Sequence, residues 1–353
     1  MTKPSWSTHL ACTRKLLWGE NMQPVDTAPV NIDKERETWL RRVARIRELT
    51  IVLVIVALCI ILSFMSSSFL SVDNIVTTIL SIVMTAIVSV GMTVALVSGG
   101  FDLSVGSVMS MAGVVTGSLA LNGVNIWLAA IFGLLASLCS GLITGLFIGK
   151  VKINPFIMTL GMNGVVQGVA YVVTQGAPLS VTGVPKSFLY LGQGNLLGIP
   201  VLIWILAVVV VVSDFIMRRA VVARKVYYIG SNEAAAYLSG IRVSKVKVWI
   251  YIFTALLAGI AGILTLSRFS VAAPTAGQGM ELQAIAACII GGASLTGGEG
   301  TVLGALLGSV LVGIVNDALV LLNVSVYWQS LVTGFVLIAA VTLDVLTHRK
   351  KAN

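Results

Sequence analysis

Beyond residue 50 the chain alternates between long apolar stretches and short polar or glycine-rich breaks. Stretches approaching the roughly 20 residues of a membrane span fall near 51–65, 75–97, 104–121, 126–148, 156–174, 199–217, 248–267, 282–297, 301–322 and 326–346. The pattern predicts ten helices, with glycine interrupting the chain at 98–104 and 291–300. In the second span Thr77, Ser81, Thr85, Ser89 and Thr93 recur every fourth position and share one face. The fifth repeats this spacing with Thr159, Asn163 and Gln167, while Gly161, Gly164 and Gly168 occupy another face suited to close helix contact. Residues 1–50 contain no long apolar run. There Trp39, Leu40, Val43 and Ile46 recur at helical spacing, and Asp33, Glu35 and Glu37 precede Arg41, Arg42, Arg45 and Arg47, an order that suits the helix dipole. This tail is expected to form an amphipathic helix on the headgroups, as a basic anchor that fixes topology or as a regulatory or partner-binding segment. The expected organisation is a basic tail over 1–50, a membrane domain over 51–348 and a short C-terminal tail over 349–353.

Composition settles the solvent. Of 353 residues, 57% are hydrophobic and 10% charged, against roughly 25% charged in a soluble domain, and mean hydropathy is +0.98. Too little polar surface exists to cover so much apolar side chain, so the fold class is an all-α polytopic membrane protein. The formal net charge of +9 would suggest nucleic acid on a soluble chain, but the positions argue otherwise. With the N-terminus inside, all but Lys186 and Arg268 of the 23 basic residues fall on cytoplasmic segments. That split follows the positive-inside rule and places both termini in the cytoplasm. Cys12, Cys59, Cys139 and Cys288 are scattered singly and read as small hydrophobes.

Catalysis in the bilayer would need metal ligands or a nucleophile beside a base. The only histidines are His9 and His348, and the intramembrane acids are Asp102, Asp317 and Asp344 near helix ends or glycines. No metal site is expected and ion coupling has little support. Amides are costly against lipid, so Asn163 and Gln167 should face protein or water, where they suit a neutral polyol or bond between helices. Thr159 shares their stripe, and Asp102, beside two glycines and close to Ser104, adds a charged acceptor to the expected pathway. The Ser/Thr stripe of the second span either lines that path or bonds back to its own helix.

The breaks Gly99–Gly106 and Gly291–Gly298 resemble each other, and each precedes a helix rich in small residues. They are ordinary turns or the broken helices of an internal repeat. The most basic interior loop contains Ser231 to Ile241. Ser231 or Asn232 can cap a short helix there, Glu233 suits its first turn and Gly240 can end it. Ala234 and Leu238 then share an apolar face that basic neighbours hold out of the membrane, suited to a groove on a soluble partner.

This Glu-Ala-Ala loop, with Gly240-Ile241 beyond it, resembles the coupling loop of ATP-binding-cassette importer permeases, and specifically of the ribose-type monosaccharide permeases. The resemblance runs from about residue 70 to 345. It rests on Gly91-Met92-Thr93 with Ser98–Gly106, Pro155-Phe156-Ile157 with Thr159-Leu160, Thr174-Gln175-Gly176, Gly230–Ile241, Pro274–Gly277, and Gly291-Gly292 with Ser294-Leu295 and Gly297-Gly298. Phe101 stands where members usually have Ile. The resemblance implies a permease subunit of a bacterial inner-membrane importer, moving a pentose or hexose inward. It implies a second permease copy or homologue, an extracytoplasmic sugar-binding protein, and an ATPase subunit that holds ATP and magnesium, since this chain has no Gly-x-x-x-x-Gly-Lys-Ser/Thr motif and is not expected to be an enzyme. Glu233, Ala234, Ala235, Leu238, Gly240 and Ile241 are then the ATPase-coupling residues. Arg268 and Lys186, on the outer face, are candidates for binding-protein docking; for Arg268 a snorkelling anchor is the alternative. The other classes left open are an ion-coupled secondary sugar carrier working without an ATPase, and a membrane structural or receptor subunit.

Overall fold

The computed structural model describes residues 47–325 and scattered positions from 328 to 342. The expected amphipathic helix, most of the tenth span and the 349–353 tail lie outside the described residues. Twelve α-helices occupy the described part: α1 (Arg47–Met65), α2 (Val72–Val97), α3 (Val105–Leu121), α4 (Ile126–Leu146), α5 (Pro155–Thr174), α6 (Lys186–Gln193), α7 (Val201–Arg219), α8 (Val221–Ser231), α9 (Glu233–Leu238), α10 (Val243–Phe269), α11 (Met280–Ile290) and α12 (Val302–Leu321). Among the described residues seven helices, α1, α2, α4 with the π turn Phe147–Val151, α5, α7, α10 and α12, are long and apolar enough to cross a membrane. The protein is a polytopic all-α membrane protein. Two pairs of two-residue strands, β1 (Leu179–Ser180) with β4 (Val271–Ala272) and β2 (Asn195–Leu196) with β3 (Ile199–Pro200), are its only sheet among those residues.

The expected eighth span over 282–297 is corrected: α11 ends at Ile290, and 291–301 is a loop. The reason is backbone geometry. Gly292, Gly297 and Gly298 take φ of 91°, 87° and 79°, values that L side chains rarely adopt and that cannot continue a helix.

Small residues set the packing. Lipid gives little hydrophobic drive for helices to associate, so close approach depends on side chains that let backbones meet. Along α4 and the π turn, Gly133, Ser137, Gly141, Gly145 and Gly149 recur every fourth position on one face. Antiparallel to them runs α10: Gly259 packs on Ser137, and a Cβ at Gly141 would fall 2.5 Å from Ala255 Cβ, at Gly145 2.8 Å from Val248 Cα and at Gly149 2.6 Å from Ser244 O. By contrast, nothing lies within 4 Å of where a Cβ would sit on Gly161, Gly164 or Gly168, so the close contact expected of α5's glycines is made by α4's instead. Val83, Ile87, Val90 and Leu96 of α2 are buried at the centre, whereas Leu53, Ile60 and Phe64 of α1 and Val208, Val211 and Phe215 of α7 are exposed on the outside of the bundle.

The two ends differ. At one, β1 pairs antiparallel with β4, Leu179 opposite Ala272, above the buried Phe188 of α6, which meets Trp127 edge to face at 5.6 Å. At the other, α8 and α9 form the connection between α7 and α10. The expected topology assigns the first end to the outside and the second to the cytoplasm.

Candidate functional site

Two regions gather polar or exposed side chains around open space. The first is a cavity of about 180 Å³ lined by Ser107, Asn163, Gln167, Tyr171, Gly277, Gln278 and Glu281. Its depth follows from α3 and α10, which run side by side. Met109 meets Gly262 of α10 and Gly106 lies one turn earlier, so the cavity is level with the central turns of α10, far from either end. The segment after β4 reaches this depth because Gly106 and Gly277 touch backbone to backbone, each lacking a Cβ that would strike the other's carbonyl oxygen. Ser110 Oγ accepts from Gly277 N at 2.8 Å, and Gln167 Nε2 donates to Pro274 O at 2.7 Å. Two short helices, α3 and α11, thus begin at the cavity and run away from it.

Of the expected pathway residues the structure brings together Asn163 and Gln167 and leaves the other three apart. Thr159 is buried and its hydroxyl donates to Pro155 O at 2.9 Å, within its own helix. Asp102 is buried in the break before α3, where its Oδ1 accepts from Ser104 N at 2.9 Å and from the Ser104 hydroxyl. The Asp102 and Ser104 pair closes a turn and does not line the cavity. In the Ser/Thr stripe of α2, Ser81 Oγ donates to Thr78 O at 2.7 Å and Thr93 Oγ1 to Ser89 O at 2.8 Å, within their own helix, and Thr93 packs against Cys288 of α11. Sequence reasoning missed Ser107, Tyr171, Gln278 and Glu281. Ser107 and Glu281 follow glycine-bearing turns at helix starts, the one signal in the sequence that marks them. Phe101 packs edge to face on Phe156 at 6.0 Å, as part of the wall between the break and α5.

The second region is α9. Asn232 caps it, its Oδ1 accepting from Ala235 N at 2.9 Å, and Glu233 accepts from Lys247 Nζ at 2.7 Å. Gly240, at φ 81°, reverses the chain after it, and Ile241 N bonds back to Ala236 O. Ala236 is buried, while Ala234, Ala235 and Leu238 are exposed, Leu238 by 84%. Tyr237, 71% exposed, extends the same uncovered surface and was not anticipated. Open grooves run along both sides of α9: one beside Val221, Arg224 and Tyr228 of α8, the other beside Lys150, Lys152, Arg242 and Lys245.

At the opposite end Lys186 is exposed at the start of α6. Arg268 is half-buried: Nη1 donates to Leu80 O of α2 at 2.7 Å and the guanidinium sits 4.9 Å from the centre of the Phe269 ring. One of its donors thus ties α10 to α2, and the side chain is only partly open at this end. Arg268→Met should therefore lower thermal stability by about 1 kcal/mol, the usual worth of one hydrogen bond, read as a shift of the unfolding midpoint in detergent. An unchanged midpoint would return Arg268 to the rim.

A family model described as branched-chain amino acid transport system / permease component matches residues 74–341. The chain belongs to this permease family. Among curated proteins the permease is 39% identical over 300 residues to the ribose import permease protein of Haemophilus influenzae, covering 84% of this chain and 93% of that one. It is 37% identical over 294 residues to the L-arabinose ABC transporter permease protein of Azospirillum brasilense, covering 83% and 86%. To the D-allose transport system permease protein of Escherichia coli K12 it is 34% identical over 282 residues, covering 80% and 86%. No solved structure matches the permease significantly.

Proposed function

We propose that this permease is the membrane subunit of an ATP-driven importer that carries a monosaccharide, a pentose or hexose, into a bacterial cytoplasm across the inner membrane. The observation that carries the reading is the cavity at mid-depth. Its amide, hydroxyl and carboxylate groups can donate to and accept from a polyol on several sides, and its 180 Å³ is below the roughly 300 Å³ at which sites for drug-sized ligands begin. Relatives named for ribose, arabinose and allose transport support the same substrate class. Asn163 and Gln167 contact the sugar in transit, joined by Glu281 and Gln278. Asp102, Ser104 and Thr159 act on the path only by shaping the turn and helix start around it.

ATP and magnesium are held by a separate ATPase subunit, which docks on α9 through Ala234, Ala235 and Leu238, with Glu233, Gly240 and Ile241 fixing the helix. A second permease copy or homologue completes the membrane part. A sugar-binding protein docks at the outer end, where Lys186 is an exposed positive charge.

Reconstitution of the permease with its ATPase and binding protein in proteoliposomes tests the reading. Labelled sugar should enter only with ATP, and Asn163→Leu should slow entry about tenfold, the loss expected when about 1.4 kcal/mol of contact to the moving sugar disappears. Uptake that persists with an ATPase unable to hydrolyse ATP would establish a secondary carrier instead, and normal entry through Asn163→Leu would remove that side chain from the path.

A further inference from the structure

We propose that Gly230 and Tyr227 of α8 are positioning residues that carry movement of α9 to both glycine-rich breaks, and through them to two walls of the cavity. The proposal rests on the ATPase-coupled reading above. Its basis is a junction of backbones at the α9 end of the molecule. Gly230, in the last turn of α8, lies against the end of α2: a Cβ there would strike the Val97 carbonyl oxygen and fall 2.6 Å from Gly298 N. The breaks themselves meet at the same place. Gly298 N donates to Val97 O at 2.8 Å, and a Cβ on Gly297 would lie 2.8 Å from Gly230 O and 2.9 Å from Gly99 Cα. Tyr227, one turn earlier on α8, donates its hydroxyl to Gly300 O at 2.9 Å.

Three chain segments thus share one contact, and what leads out of it matters. Asn232 ends α8 and caps α9, so no spacer separates the docking helix from the junction. From Val97 the first break leads directly to α3 and Ser107. From the second, α11 leads back to Glu281, and both Ser107 and Glu281 line the cavity. A backbone-to-backbone contact has no flexible side chain to absorb a displacement, so a shift of α8 must move the breaks or open the junction. The resemblance between the two breaks acquires a physical meaning: each is the attachment point of one short helix that begins at the cavity.

The test uses the permease with its ATPase and binding protein in nanodiscs, reading the ratio of sugar-stimulated to basal ATP hydrolysis. Tyr227→Phe removes one hydroxyl and keeps the ring. It should retain ATPase capture and unfolding temperature while the ratio falls about fivefold, the lower range of measured couplings between sites. Gly230→Ala should capture the ATPase through an intact α9 and lose stimulation to background. A wild-type ratio in Tyr227→Phe overturns the proposal, and that variant decides the matter if Gly230→Ala fails to accumulate. A wild-type complex showing no stimulation at all would overturn the transport reading itself, and this one with it.

Discussion

Leu238→Asp is expected to abolish sugar-stimulated ATP hydrolysis in the assembled transporter while leaving the permease folded. Leu238 is 84% exposed and lies one turn from Ala234 on the same side of α9. Everything that holds α9 acts from elsewhere: the Asn232 cap, the buried Ala236 and the Glu233 to Lys247 pair. A carboxylate at 238 therefore changes what a partner meets and leaves the helix's own supports in place. Central interface residues cost about 2 kcal/mol or more when lost, close to 30-fold in affinity, and a charge desolvated without a partner adds to that. Co-purification of the ATPase and hydrolysis with binding protein and sugar measure it. Ala234→Arg should behave in the same way. Full stimulation in both α9 variants would mean that the ATPase docks on another surface.

The second large effect concerns folding. Gly141→Leu should prevent accumulation of folded permease, because its Cβ would fall 2.5 Å from Ala255 Cβ and 2.6 Å from Tyr251 O. One of those neighbours is backbone and cannot rotate away. Overpacking costs typically 1–3 kcal/mol where side chains can adjust, so a cost of about 3 kcal/mol or more is expected here, added to the broken fit of α4 on α10. Membrane fractions analysed by detergent size exclusion should show aggregate in place of a monodisperse peak. Gly164→Leu on α5, where no neighbour lies within 4 Å in the chain, is the matched control and should elute normally. A monodisperse Gly141→Leu with wild-type thermal stability would refute the packing argument.

Much of the architecture was legible in the sequence because a bilayer enforces a simple code. Long apolar runs have to be helices there, and the expected runs near 75–97, 126–148, 156–174 and 199–217 match α2, α4 with its π turn, α5 and α7. The α9 helix was legible for a local reason: its cap, first-turn acid and terminal glycine are adjacent in sequence and need no tertiary information. The cavity was only half legible. Asn163 and Gln167 stand out as amides within a span, but Glu281 and Gln278 reach them through a segment whose depth is fixed by Gly106 meeting Gly277, and nothing in one sequence pairs two glycines so far apart. The end of α11 was misread because hydropathy is blind to the sign of φ. For Arg268 the bond to the Leu80 carbonyl was not legible, because that acceptor lies 188 residues away in the chain.

That distance between partners has a consequence for how the protein is made. Gln167 on α5 finds its acceptor, Pro274 O, 107 residues later, and Gln278 and Glu281 follow further still. At about 5–20 residues per second, α5 is synthesised roughly 5–20 s before the wall that will cover its amides exists. For that interval the side of Asn163 and Gln167 that this wall will cover is open to lipid or the insertion machinery, where such groups are disfavoured. The polarity of this face is therefore bounded by biogenesis as well as by transport: an additional amide or acid on α5 that improved sugar contact would also make the half-built chain harder to keep in the membrane.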